Sequence, residues 1–158
     1  MQLITTELLD QVSEMAVKNP RRRINYNFHK SLEESVHRLL NAVEPGTYFP
    51  PHRHLNPDKD ESLLVLRGSI LAFIFDNEGN VVQRTEINPD KGCYGMEIEA
   101  GVWHSFIVLE SGTVLYEVKE GPFAPLTSEN IAPWAPLPEE KEAVAAYMEK
   151  LMNRRNTD

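Results

Sequence analysis

One cysteine, Cys93, stands in 158 residues, so no internal disulfide can brace this chain. Cys93 has no second thiol and no predicted helix N-terminus beside it, so it reads as a small buried hydrophobe and not as a nucleophile. No apolar run is long enough to span a bilayer, and the first residues lack a basic-then-apolar signal region. The expectation is a cytoplasmic protein without a membrane partner. Basic residues are also scarce: 16 Lys and Arg stand against 24 Asp and Glu, a formal net charge of -8. Such a charge repels a phosphate backbone, and the one basic run, Arg21-Arg22-Arg23, reads as a solvated cluster after the first helix. Nucleic acid is therefore not an expected partner. Gly and Pro are too few for a disordered chain, and the length suits one domain with its own core.

What is present organises the chain into helical ends and a strand-rich middle. Leu8, Leu9, Val12, Met15 and Ala16 recur at helical spacing behind Thr5-Thr6, which can cap, and Asn19-Pro20 supplies the stop. Pro138 followed by Glu139-Glu140 opens a second helix, with Val144, Tyr147, Met148 and Leu151 on one face and Lys150, Arg154 and Arg155 toward its C-terminal end. Between them, eight short segments read as strands: 36–43, 47–54, 62–67, 69–76, 81–87, 93–99, 104–110 and 113–119. Eight strands without an intervening helix indicate a sandwich or rolled barrel. SILAFIFD (69–76) is apolar at consecutive positions, as a strand covered on both faces would be, and the next segment has the polar pattern of an edge. Residues 121–138, GPFAPLTSENIAPWAPLP, read as an extended arm anchored by Phe123 and Trp134.

The chemistry concentrates in YFPPHRHLNPDKDE (48–61). In a strand, residues two apart share a face, so His52 and His54 present two imidazoles side by side while Arg53 points away. Glu61 opens the following strand where its carboxylate can fold back, with Asp58 and Asp60 competing for that position. His104, in EAGVWHSF, offers a further imidazole. Three neutral imidazoles and one carboxylate suit Fe(II), Mn(II), Ni(II), Co(II) or Zn(II), and not calcium or magnesium. Glu117, in TVLYEVK, is either a pocket carboxylate able to act as a general base or an outward, solvated residue.

These residues resemble the cupin superfamily. Its first motif, a glycine, five residues, His-x-His, a short loop, glutamate, six residues and glycine, falls on Gly46, His52, His54, Glu61 and Gly68. The loop before Glu61 has six residues where the motif has three or four, yet the run to Gly68 selects Glu61. The second motif keeps Gly101 and His104, with Glu99 and Val108 in place of its proline and asparagine. More narrowly, RRRINYNFH, VHRLL, GTYFPPHRH, ESLLVLRGSI, WHSFIVLESGTVLYEVKEGPFAP and WAP resemble the WbuC family of cupin-fold metalloproteins, often encoded with O-antigen polysaccharide genes.

The resemblance implies a mainly β fold: one cupin (double-stranded β-helix, jelly-roll) barrel over 36–120, a helix and extension over 1–35, and an arm and helix over 121–158, all in one structural domain. It implies one divalent transition metal on His52, His54, Glu61 and His104. It also places Asn27 and His29 at the barrel mouth and makes Arg38, in preference to His37, an inward anion contact. The function it suggests is a small metal-dependent isomerase or epimerase acting on a carbohydrate or nucleotide-linked sugar of surface polysaccharide synthesis. A non-haem dioxygenase, a non-catalytic module that binds or senses a small molecule, and a structural zinc site are the alternatives. The exposed strand edges and the arm suggest a homodimer.

Overall fold

The Thr5 hydroxyl accepts the Leu8 amide at 3.4 Å and starts helix α1, Thr6–Lys18, which ends at Asn19. This is where the computed structural model, which describes residues 1–154, begins its regular structure; Arg155 lies outside the described residues. Eight strands follow: β1 (Arg23–Asn27), β2 (Val36–Val43), β3 (Glu61–Arg67), β4 (Ile70–Phe75), β5 (Val81–Ile87), β6 (Gly95–Ile98), β7 (Trp103–Val108) and β8 (Thr113–Glu120). Helix α2, Lys141–Asn153, closes the chain. Strand pairing is antiparallel throughout, in one sheet ordered β1-β2-β8-β3-β6 and another ordered β5-β4-β7.

Three apolar layers explain the hydrophobic pattern. Between the sheets lie Val43, Leu63, Val65, Ile70, Ala72, Phe106 and Leu115, with Cys93 half-buried against them. On the outer side of the smaller sheet, Leu71, Phe73, Phe75 and Ile107 meet Leu151, Tyr147 and Met148 of α2. Ile70 and Ala72 thus face one layer and Leu71 and Phe73 the other, which is why β4 is apolar at every position. Helix α1 covers the larger sheet through Val12 and Ala16 against Leu40, Ala42 and Val114.

Two segments differ from the reading above. Residues 47–54 form no ladder: Pro50 and Pro51 have no N–H to donate, and the only strand-like pairing is the isolated bridge His52 makes to His104 and to Ile131. Conversely, Arg23–Asn27 is a fifth strand on the larger sheet, registered from Arg23 opposite Val43 to Asn27 opposite Leu39. In the arm, Trp134 is the anchor, its ring 5.0 Å from Phe75 and so close over Gly79 that no Cβ would fit there. The Phe123 ring is exposed at the edge of a cavity, and that residue holds the arm only through its backbone N–H, which donates to the Leu32 carbonyl at 2.7 Å. At the other turn that demands glycine, Gly68 has φ +77° and a Cβ would collide with the Thr113 hydroxyl and backbone.

Candidate metal centre

Three segments meet inside the barrel. His52 and His104 exchange backbone hydrogen bonds, His52 N to His104 O at 3.0 Å and His104 N to His52 O at 2.9 Å, so the approach to β3 is stitched to the start of β7. Their rings lie 4.3 Å apart by centroid, with His54 at 5.1 Å from His52. Glu61 opens β3, opposite Ile98 on one side and Lys119 on the other, and its Oε2 lies 2.9 Å from His54 Nε2 and 3.8 Å from His104 Nε2. One ligand atom from each of His52, His54, Glu61 and His104 falls within 4.8 Å of every other. Arg53 turns away, its guanidinium 4.3 Å over the Trp103 ring. Asp58 is exposed, and exposed Asp60 instead accepts the Ala100 amide at 2.9 Å; neither joins the cluster.

The imidazoles are oriented for coordination. His52 Nδ1 is 3.0 Å from the Pro50 carbonyl and His104 Nδ1 is 2.9 Å from that of Val102. A carbonyl only accepts, so each Nδ1 carries the proton and each Nε2 presents a lone pair to the cluster. His104 Nε2 is buried without a hydrogen-bond partner, a cost that an ion at the centre of the four ligands would remove. The residues therefore fit a divalent transition ion.

Burial first, then His104, pushes His52 down to about 3, and His104 is lowered for the same first reason. Burial alone would raise Glu61, but the His54 hydrogen bond and then Lys119 outweigh it and hold the carboxyl low. Both histidines have folded pKa values below the unfolded value of about 6.5, so the folded state refuses protons that the unfolded chain accepts. Their contribution to stability is complete above that pH and is lost as pH falls toward the folded values. Metal-free protein is thus expected to lose stability from about pH 6.5 downward, with a slope of up to about 1.4 kcal/mol per pH unit per group. Unfolding midpoints in urea between pH 7.5 and 5 measure this, and His52→Gln should flatten the slope.

A second polar group adjoins the ligands. Lys119 Nζ lies 2.8 Å from Glu117 Oε1 and 3.8 Å from Glu61 Oε2, and Asn41 donates to Glu117 Oε2 at 3.4 Å. Burial first, then Glu61, raises Glu117, while Lys119 is raised because its two carboxylate neighbours overcome its burial. Lys119 and Asn41 were not singled out from sequence, although Lys119 is two residues from Glu117 and so must share its face, and Asn41 is a lone amide among apolar neighbours on β2.

These groups line a cavity of about 700 Å³ whose walls include Arg23, Asn41, Phe49, His52, His54, Lys59, Glu61, His104, Glu117 and Lys119. Glu117 is inside it. Three expected pocket residues are not. Asn27 is exposed at the end of β1; His29 is buried by stacking on His37 at 4.2 Å; Arg38 faces the opposite side of β2 and pairs with Glu34 at 2.9 Å. The cavity face of β2 carries His37 and Asn41, so strand parity turns Arg38 outward.

The two antiparallel sheets, with a histidine and glutamate cluster between them, define a cupin barrel. The chain belongs to the family described as Domain of unknown function (DUF6016), whose profile matches residues 4–87, a span holding His52, His54 and Glu61 but not His104. No curated protein matches it in sequence. Solved structures with the same fold include KdgF from Halomonas sp., 12% identical over 67% of this chain and 84% of that one, TM-score 0.52. Another is the TT1209 protein of Thermus thermophilus, 17% identical over 76% of this chain and 97% of that one, TM-score 0.54. The capsular polysaccharide assembling protein CapF of Staphylococcus aureus is 18% identical over 65% of this chain and 29% of its own length, TM-score 0.51. No helix among the described residues is long and apolar enough to cross a membrane.

Proposed function

We propose that this protein is a small metal-dependent enzyme acting on a carbohydrate or nucleotide-linked sugar by an isomerase or epimerase type of reaction, as a WbuC-like member of the cupins. The observation that carries the reading is the convergence of three imidazoles and Glu61 in the wall of a roomy cavity, with a partnerless His104 Nε2 among them. A divalent transition ion held by His52, His54, Glu61 and His104 would supply polarisation of a carbonyl or hydroxyl pair. Glu117 is the candidate base: it lines the same cavity, and Lys119 and Asn41 fix its carboxylate. Phe49 and Phe106, tilted against each other with centroids 4.3 Å apart, supply an apolar wall for a sugar face. The carbohydrate part also draws support from CapF, a capsular polysaccharide assembling protein with this fold. A cytoplasmic homodimer with a small-molecule ligand belongs to the same proposal.

The test is incubation of metal-loaded protein with aldoses, ketoses and nucleotide sugars in D2O, with oxygen uptake followed in parallel. Proton abstraction next to a carbonyl predicts deuterium entering the substrate and no oxygen consumption. Oxygen consumption would replace the reading with a dioxygenase, and saturable binding without either signal would replace it with a binding module.

A further inference from the structure

Three arginines of this chain are held by carboxylates. Arg22 reaches Glu44 at 4.0 Å, Arg38 reaches Glu34 at 2.9 Å and Arg67 reaches Asp10 at 2.5 Å. Arg21, Arg23, Arg53 and Arg84 have no ion pair with a described carboxylate; of these, Arg53 lies over Trp103 and Arg84 bonds the Met152 carbonyl, and only Arg21 and Arg23 line the cavity. Arg23 is half-buried. Its guanidinium stacks 4.2 Å over the Phe49 ring, and Nη1 donates to the Tyr48 carbonyl at 2.8 Å. That bond uses one of five N–H donors and leaves the rest of a rigid fork for another acceptor. The other cations of the cavity are engaged: Lys119 by Glu61 and Glu117, and Lys59 by the carbonyls of Glu120 and Pro122.

We infer that the cavity ligand carries a phosphate or carboxylate group and that Arg23, with Arg21 beside it, receives that anion. A half-buried guanidinium laid on an aromatic ring, with free N–H donors at a cavity wall and no carboxylate beside it, is a ready receptor for an anionic ligand. Fixing the fork beforehand lowers the entropy lost on binding, and two-pronged recognition of carboxylate or phosphate suits arginine. The anion site also shares a wall with the metal centre, because Phe49 packs on Phe106, two residues beyond His104 on β7. A ligand would be held at two points, by its anion at Arg23 and by its oxygens at the centre. This inference rests on the reading of the cavity as the substrate site, and it narrows that substrate to a charged sugar or sugar-like acid.

The experiment is calorimetric titration of metal-loaded protein with glucose 1-phosphate, glucuronate and neutral glucose, for the wild type, Arg23→Gln, Arg23→Lys and His104→Ala. At least one anionic probe should bind at least about tenfold more tightly than glucose. Arg23→Gln should lose about tenfold or more of that affinity with metal content and circular dichroism unchanged, and Arg23→Lys should fall between, keeping the charge but not the fork. Tighter glucose 1-phosphate assigns a phosphoester; tighter glucuronate assigns a carboxylate. Neither anion exceeding glucose, or Arg23→Gln binding as well as wild type, would overturn the inference. The metal reading fails separately: a wild-type protein that takes up no metal, yet binds the anion through Arg23, defeats that reading alone, and His104→Ala should then bind the anion as wild type does.

Discussion

Replacing His104 with alanine is expected to empty the metal centre and leave the barrel folded. The imidazole is almost fully buried, with Nδ1 tied to the Val102 carbonyl and Nε2 3.8 Å from the Glu61 carboxylate, so alanine removes one of the four converging ligands outright. Loss of a residue that merely orients a ligand already weakens metal sites by about 10–100-fold; loss of a ligand itself should exceed about 100-fold. The fold should survive because the bonds between positions 104 and 52 are made by backbone atoms, which alanine retains, and because the substitution removes a buried nitrogen that has no partner without an ion. Mass spectrometry of untagged protein reports the metal, and circular dichroism reports the fold. His52→Ala should behave alike, whereas Asp60→Ala should retain full metal, since Asp60 serves the Ala100 amide outside the cluster. Full occupancy in both histidine variants would refute the assignment.

How much of this was legible beforehand varies with the kind of information each feature needs. Strands β2 and β5 fall on residues 36–43 and 81–87 as the pattern predicts, because alternation and punctuation are local properties. The run RINYN carries no strand signal of its own: it is short, starts at the last of three arginines, and becomes a strand only by pairing with β2. In TYFPPHRH the sequence pattern suggests a ladder, but the two prolines leave an extended segment with two isolated bridges, both at His52. The segment still sets His52 and His54 near each other, since extension alone preserves the alternation of faces. For β2 the period was legible and its absolute phase was not. His37 and Arg38 must face opposite ways, but which one enters the cavity depends on the sheet's placement over α1 and on Glu34, which holds Arg38 outside. Lys119 meets Glu61 only through the register of β3 on β8, and Arg23 acquires its place only once β1 is paired and Phe49 lies beneath it. Contacts of that kind have no signature in either segment alone.

Replacing Lys119 with methionine is expected to cost the metal-free protein about 3–5 kcal/mol, the range for removing one partner of a buried ion pair. The loss is large because the lysine serves two carboxylates, Glu117 and Glu61, whose side chains are 10% and 6% exposed, and methionine leaves both in the cavity wall without a cation between them. Neutralising one carboxylate should restore most of it: Lys119→Met combined with Glu117→Gln is expected to be markedly more stable than Lys119→Met alone, a non-additivity that urea unfolding of the four proteins in the cycle measures directly. Metal should restore part of it too, since an ion at the centre would neutralise Glu61 by another route. Catalysis would not recover in the same way. If Glu117 moves the substrate proton, Glu117→Gln should lower turnover by about 10²–10⁴-fold with metal content unchanged, and the stable double variant should stay as inactive as the glutamine variant. Equal stabilities for Lys119→Met and wild type would mean that water already reaches and solvates the two carboxylates, and would remove Lys119 from the site; unchanged turnover in Glu117→Gln would leave the lysine as a purely structural counter-ion and require another base.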